Sequence, residues 1–116
     1  MHFKLIIAVV EDADTDAIVR AARTAGATGV TILNQARGEG NTAEQGYFGL
    51  DVGGGRDVVL LLVEEHLSRH ILEAVGRAGR FNSSPGAGIA FQIDVEDAFG
   101  VMSQERLLQS RIEEEL

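Results

Sequence analysis

The sequence contains no cysteine and no tryptophan, a single proline and few basic residues for its 116 positions. Without cysteine, neither disulfides nor thiolate-bound metals hold the fold, so its stability has to come from an apolar core. Lysine and arginine together number 10 against 18 acidic residues, and the formal net charge is -8. Because such a surface repels nucleic-acid phosphates and anionic lipids, we expect neither as a partner.

Long hydrophobic runs are also missing. The longest, Leu5–Val10 and Val58–Val63, are far shorter than the roughly 20 residues of a membrane-spanning helix. The first four residues, from Met1 to Lys4, show no signal-peptide cleavage pattern. These features predict a cytoplasmic protein without membrane insertion, and the length suits one domain.

The first part of the sequence predicts a strand, a helix and a second strand. Phe3–Val10 is almost entirely apolar and is typical of a strand buried on both faces. The stripe that follows, within Ile18–Ala25, has the i, i+3, i+4, i+7 spacing of a helix, and Gly26 ends it. Gly29–Leu33 is the second predicted strand.

The same order returns after residue 57. Val58–Val63 predicts a strand, and the apolar stripe within Leu67–Ala78 predicts a helix that Gly79 ends. Ile89–Val95 alternates apolar and small or polar residues, which is typical of a strand with one solvated or interfacial face. In both halves, 16 residues separate the end of the first strand from the glycine that ends the helix.

Two matching halves indicate an α+β ferredoxin-like domain of βαββαβ order over residues 1–102. Both helices would lie on one face of a four-stranded antiparallel sheet. The other face needs a cover, which either the C-terminal tail or other subunits supply. The tail, residues 103–116, is predicted to be either a short helix or a frayed acidic end.

Two glycine-rich segments separate these elements. Residues 37–56 contain seven glycines and no sustained apolar period, so they predict a long loop, which in a compact domain is usually functional. Residues 79–88 form a second, shorter loop rich in Gly, Ser and Pro.

The borders of these loops carry a family resemblance. Arg37-Gly38-Glu39-Gly40 opens the long loop, and Pro85–Val95 contains Gly-Ala-Gly-Ile-Ala-Phe ahead of Asp-Val. In this order and at this spacing, the chain resembles the PII signalling family and its PII-like relatives over about residues 3–101. The resemblance implies a homotrimer with two named loops, the T-loop at about 37–56 and the B-loop at about 79–88. It implies that an adenine nucleotide binds in clefts between subunits, and that the T-loop docks on a target such as a transporter or a metabolic enzyme.

Applied to this sequence, the resemblance assigns two groups of residues. The predicted ligand-binding residues line the two loops: Arg37, Gly38, Gly40, Arg80, Gly86, Ala87 and Gly88. The predicted partner-docking residues form an apolar cluster within the T-loop: Tyr47, Phe48 and Leu50.

The sequence departs from the relatives that hold ATP. Those relatives carry a lysine and two arginines where this chain has Ile89, Gly100 and Met102. A triphosphate needs several cationic partners, so the sequence argues against tight ATP binding. It leaves AMP, ADP or a cyclic nucleotide as candidates, held by arginines such as Arg56 and Arg77, and predicts no covalent cofactor.

Two other function classes are compatible with parts of the sequence. His66 and His70, with Glu73 one turn further on, have the spacing of a metal site, and a CutA-like trimer linked to divalent metals is the alternative reading. A solvated stripe is the favoured interpretation, so no metal ligand is predicted, and the long glycine-rich loop argues against CutA. An enzyme on this scaffold is a third reading, but no nucleophile–base pair can be assembled, and no catalytic residue is predicted.

Overall fold

Four strands and two helices make up the part of the chain that the computed structural model describes, namely residues 1–36 and 55–101 with Gln109, Ile112 and Glu113. In chain order they are β1 (Phe3–Glu11), α1 (Thr15–Ala25), β2 (Thr31–Ala36), β3 (Arg56–Glu64), α2 (Glu65–Ala78) and β4 (Gly88–Val95). The order confirms the predicted α+β ferredoxin-like fold.

The sheet has the strand order β2-β3-β1-β4, and all its pairs are antiparallel. Ile6 in the central strand β1 lies opposite Leu61 of β3 and Gln92 of β4. Ile6 and Leu61 face the helices, where they are fully buried with Ile18 of α1 and Ile71 of α2. The apolar core therefore lies between one face of the sheet and the two helices.

Local hydrogen bonds and backbone angles explain where the two helices begin and end. A short 3-10 turn over Asp12–Asp14 leads into α1. Gly26 ends α1 with a φ of 122°, a value that favours glycine, and its N–H donates to the Ala22 and Arg23 carbonyls. At the start of α2, the Glu64 carboxylate accepts the N–H of His66. Among the described residues, neither helix has the length and hydropathy that a membrane span requires.

The bounds of β2 and β3 differ most from the prediction. β2 starts at Thr31 rather than Gly29 and extends to Ala36, with an irregularity between Leu33 and Ala36. Arg56, predicted as the last residue of the long loop, is the first residue of β3. Pairing between β2 and β3 sets these strand limits. The glycines near the start of each strand give no local signal of where the pairing begins.

Neither α1 nor α2 covers the second face of the sheet, which we call the open face. β1 was predicted to be buried on both faces. On this side Phe3 is buried, but Leu5, Ile7 and Val9 are only half-buried within the single chain. By register, the described residues on the open face include Phe3, Leu5, Ile7, Val9, Thr31, Leu33, Val58, Leu60, Leu62, Glu64, Ile89, Phe91, Ile93 and Val95. Leu33 and Ile93 remain 51% and 48% exposed. The run of apolar residues was correctly recognised. Its second face is buried at Phe3 and Glu64 but remains partly exposed elsewhere within the described part of this chain.

Candidate ligand site

The candidate site lies at the end of the sheet where β1 ends and β3 and β4 begin. The register places Glu11 opposite Arg56 and Val10 opposite Gly88. Residues 37–54, between β2 and Gly55, lie outside the described residues, but both of their flanks are at this end of the sheet. The arrangement brings together the base of the long loop and the 79–88 loop.

Arg56 connects these two segments. Its side chain is almost completely buried, and its guanidinium donates to the carbonyl oxygens of Gly86 at 3.0 Å and Ala87 at 3.4 Å. The Glu11 carboxylate lies 3.7 Å from the same guanidinium. A planar guanidinium suits this task because its N–H groups diverge in a fixed fork. Arg56, which the sequence offered as a phosphate ligand, instead holds the 79–88 loop against the first residue of β3.

The 3-10 turn fastens the same region from the other side. The N–H of Asp12 donates to the carbonyl of Gly55 at 3.1 Å. One turn later, the Thr15 hydroxyl donates to the Asp57 carboxylate at 2.7 Å, and both side chains are buried. Since Asp57 lies at the first turn of α1, the helix dipole also favours its negative charge. The beginning of β3 is therefore held by contacts on both sides.

Hydrogen bonds within the 79–88 loop fix the course of its backbone. Arg80 adopts a φ of 56° and its carbonyl accepts the N–H of Ser84 at 2.9 Å. The N–H of Ala87 donates to the Ser84 carbonyl at 3.1 Å, and Ala87 is buried. Gly86 has a φ of 78°, which a residue with a side chain rarely adopts. Both polar groups of the Ala87 backbone are thus bonded within the protein, since its carbonyl accepts from Arg56.

Beside this loop, a groove of about 780 Å³ runs between α2 and the start of β4. Its lining combines three arginines and one glutamate with apolar and backbone surface, and it includes Arg69, Glu73, Arg77, Arg80, Phe81, Gly88 and Ile89. Three guanidinium groups on one groove are notable in a chain whose net charge is -8. An excess of positive charge on a groove concentrates ligands of negative charge.

Acidic side chains compensate part of this charge. Glu73 accepts from Arg69 at 2.9 Å and lies 3.9 Å from Arg77. Arg80 lies 3.8 Å from Asp14, and its side chain is 63% exposed. One glutamate therefore serves two arginines, which leaves excess positive charge on the groove. Guanidinium groups in this setting are suited to phosphate or carboxylate ligands.

The structure brings together some of the predicted ligand residues. Arg80 and Gly88 line the groove, whereas Gly86 and Ala87 contact Arg56 behind it. The rest of the predicted set lies outside the described residues: Arg37, Gly38, Gly40, and the docking residues Tyr47, Phe48 and Leu50. Most of the C-terminal tail, including Met102, also lies outside them.

Sequence reasoning missed the contribution of Arg69 and the structural use of Arg56. The partners of Arg56 are 30 and 31 residues away, so no local pattern signals the contact. Arg69 and Arg77 are eight residues apart on α2, close to two helical turns, and this spacing does indicate a shared helix face.

The comparisons with known proteins agree with this architecture. Residues 3–105 match the family model of the nitrogen regulatory protein P-II. No curated protein matches the sequence significantly. A PII-like signalling protein of Thermus thermophilus aligns with a TM-score of 0.60 and 26% identity, covering 82% of this chain and 88% of its own. The structure of CPII bound to ADP, AMP and acetate, from Thiomonas intermedia, aligns with a TM-score of 0.60 and 20% identity, covering 83% and 90%. Since the family match extends over nearly the whole described fold, the chain belongs to the nitrogen regulatory protein P-II family.

Proposed function

We propose that this chain is a cytoplasmic PII-like signal-transduction protein that senses an adenine nucleotide in clefts between the subunits of a homotrimer. The ligand-dependent state of the T-loop, about 37–56, then regulates a target protein such as a transporter or a metabolic enzyme. Proteins of this family are signalling proteins, and we assign the chain no catalytic activity of its own.

The arginine-lined groove beside the 79–88 loop is the observation that carries the ligand proposal. A nucleotide offers a planar base and a charged phosphate, and the groove offers the ring of Phe81 together with three guanidinium groups. CPII of Thiomonas intermedia was obtained with ADP and AMP, so these two nucleotides are the first ligands to test.

The groove also supports a preference for fewer phosphates. Ile89, which follows Gly88, places an apolar side chain on the groove lining at the position where the resemblance expects a lysine for ATP. Part of the charge of Arg69 and Arg77 is already offset by Glu73. We therefore expect AMP or ADP to bind more tightly than ATP.

Arg56 supplies a physical route from ligand to T-loop. Arg56 is the first residue of β3 and lies at the end of the T-loop segment, and its side chain bonds the Gly86 and Ala87 carbonyls. A ligand that shifts the 79–88 loop changes the position of those carbonyls and so the anchor of the T-loop. For this to act as a switch, the ligand has to bind one arrangement of the loop better than the other.

Isothermal titration of the full chain with AMP, ADP, ATP and cyclic AMP tests the ligand proposal. Replacing Arg80 by Ala should weaken ADP binding by about tenfold, because a hydrogen bond to a charged group contributes roughly 1.5–3 kcal/mol. Arg20→Ala, an exposed arginine on α1 that does not line the groove, is the matched control. If no nucleotide binds, or if the two variants lose affinity equally, the nucleotide assignment is wrong.

The open face supports the homotrimer. Apolar patches of this extent are uncommon on monomeric proteins and mark interfaces. Three chains of 12.4 kDa give a particle of about 37 kDa, which light scattering measures directly. Ile93→Lys places a charge on the open face at a residue already 48% exposed in the single chain, so the subunit should fold but fail to assemble. A wild-type mass equal to one chain contradicts the trimer.

The CutA-like alternative predicts a different titration. It requires copper binding that depends on His66 and His70, without affinity for nucleotides. The match to the P-II family favours the nucleotide-sensing reading, and the same calorimetric experiment with added Cu²⁺ separates the two.

A further inference from the structure

A second group of polar side chains lies at the other end of the central strands, where β3 passes directly into α2. Glu64, the last residue of β3, is only 1% exposed. One of its carboxylate oxygens accepts the backbone N–H of His66 at 2.7 Å, and the other lies 2.5 Å from Nδ1 of the His66 ring. The nearest ligand atoms of Glu64, Glu65 and His66 all lie within 4.8 Å of one another.

The charge balance of this group favours a cation. Among the described residues, His66 is the only ion-pair partner of the buried Glu64 carboxylate. Glu65 adds a second negative charge beside this pair. A buried carboxylate without a permanent positive partner is costly. The N-terminus of α2 offsets only a fraction of a charge.

The group opens onto a cleft of about 420 Å³ that other donors also line. His2 is held beside it because the N–H of Glu65 donates to the His2 carbonyl at 2.9 Å. Gln109 and Ile112 of the C-terminal segment complete the lining. The cleft thus combines two imidazoles, two carboxylates and an amide, drawn from different parts of the chain.

We propose that Glu64, Glu65 and His66 bind a divalent transition-metal ion. Imidazole nitrogen and carboxylate oxygen are the donors that Zn²⁺ uses when thiolates are absent. The ion takes the place of the proton shared between His66 Nδ1 and Glu64, and that proton leaves to solvent. This site is separate from the proposed nucleotide site, so either assignment can fail without the other.

The sequence directed attention to a different pair, His66 and His70, one helical turn apart. The structure instead pairs His66 with Glu64, and His70 is not part of the metal-competent group found among the described residues. His70 is therefore a matched control: an exposed imidazole on the same helix that the proposal does not use.

The test is calorimetric titration of the full chain, free of any histidine tag and stripped with a chelator, using Zn²⁺ alone as the probe. His66→Ala should weaken Zn²⁺ binding by at least about tenfold, since even indirect partners of metal ligands contribute 10–100-fold. Glu65→Gln, an exposed substitution that preserves shape, should also weaken it. His70→Ala should leave the affinity and the one-ion-per-chain stoichiometry unchanged.

Each other outcome overturns the proposal. If the wild type takes up no Zn²⁺, Glu64 is only the N-terminal cap of α2. If His66→Ala and His70→Ala lose affinity equally, the ion is held by scattered surface histidines. Circular dichroism of each variant confirms that a loss of affinity is not a loss of fold, and Glu65→Gln gives a second reading should His66→Ala be unstable.

Discussion

Substituting alanine for glycine at two positions, Gly88 and Gly76, should change stability in opposite directions. A methyl group at Gly88 would lie 2.5 Å from a ring carbon of Phe81 and 2.6 Å from the carbonyl oxygen of Val9. The Phe81 ring can rotate away, but the Val9 carbonyl belongs to the central strand β1. At Gly76, within α2, the same methyl group meets no atom within 4 Å.

The magnitudes follow from these surroundings. Overpacking against fixed backbone costs about 1–3 kcal/mol. A cost of about 2 kcal/mol would lower the melting temperature of Gly88→Ala by about 8–16 °C. Replacing glycine by alanine within a helix stabilises by about 0.5–1 kcal/mol. Gly76→Ala should therefore raise the melting temperature by about 2–8 °C.

Thermal unfolding followed by circular dichroism measures both shifts, without nucleotide and at one fixed protein concentration, because assembly makes the midpoint concentration-dependent. The experiment also separates two reasons for a glycine at position 88. If Gly88 is needed only for close approach of a ligand, Gly88→Ala should be neutral in the absence of nucleotide. A Gly88→Ala midpoint equal to that of the wild type, or a comparable loss for Gly76→Ala, refutes the packing argument.

Three further perturbations test the buried polar contacts. Arg56→Lys should destabilise by about 1–3 kcal/mol in urea unfolding, because an ammonium group cannot reproduce the fork that bonds two carbonyls; an unchanged midpoint contradicts this. Thr15→Val should cost about 1–3 kcal/mol, since the buried Asp57 carboxylate loses the hydroxyl that donates to it, whereas Thr15→Ser should retain most of the stability. The hydrogen bond to the Glu64 carboxylate and its charge raise the pKa of His66 above 6.5, so the resulting stabilisation is complete below about pH 6.5 and is lost as pH rises through the raised pKa. NMR titration in metal-free buffer should show that pKa falling in Glu64→Gln, and no change would contradict the assigned cause.

The elements of the fold follow from local patterns. The apolar stripe of α2 and the glycines after both helices could be read directly, because periodicity and capping act over a few neighbouring residues. The edge strand β2 was placed about two residues too early, since its limits depend on pairing with β3 and on the irregularity before Ala36. The central strands and the need for a cover on their second face were both predicted. The sequence does not show which residues face the helices, because Leu5 and Ile6 read alike while only Ile6 faces them.

The candidate sites were predictable only in part. Gly88 was expected to contact a ligand, and it does line the groove, but its packing against Val9 could not be seen from the sequence. Arg56 was expected to bind phosphate because it is a cation at the loop base. Its burial against carbonyls about 30 residues away depends on the register of β1 with both β3 and β4. Glutamate is not a preferred helix cap, so the contact of Glu64 with His66 also lacked a sequence signal.

The geometry of α2 keeps the two proposed sites apart. The helix has 14 residues, which at 1.5 Å per residue is roughly 21 Å, with Glu65 at one end and the 79–88 loop beyond the other. That distance exceeds two screening lengths at physiological salt, and no single ion can contact both ends. A metal held by Glu64 and His66 therefore cannot coordinate the phosphates of a nucleotide at Arg80. Any influence of one site on the other has to pass through β1, β3 or α2, which connect the two ends of the sheet. The groove is best interpreted as the signalling site, and the cluster at the start of α2 as an independent site on the opposite end of the same sheet.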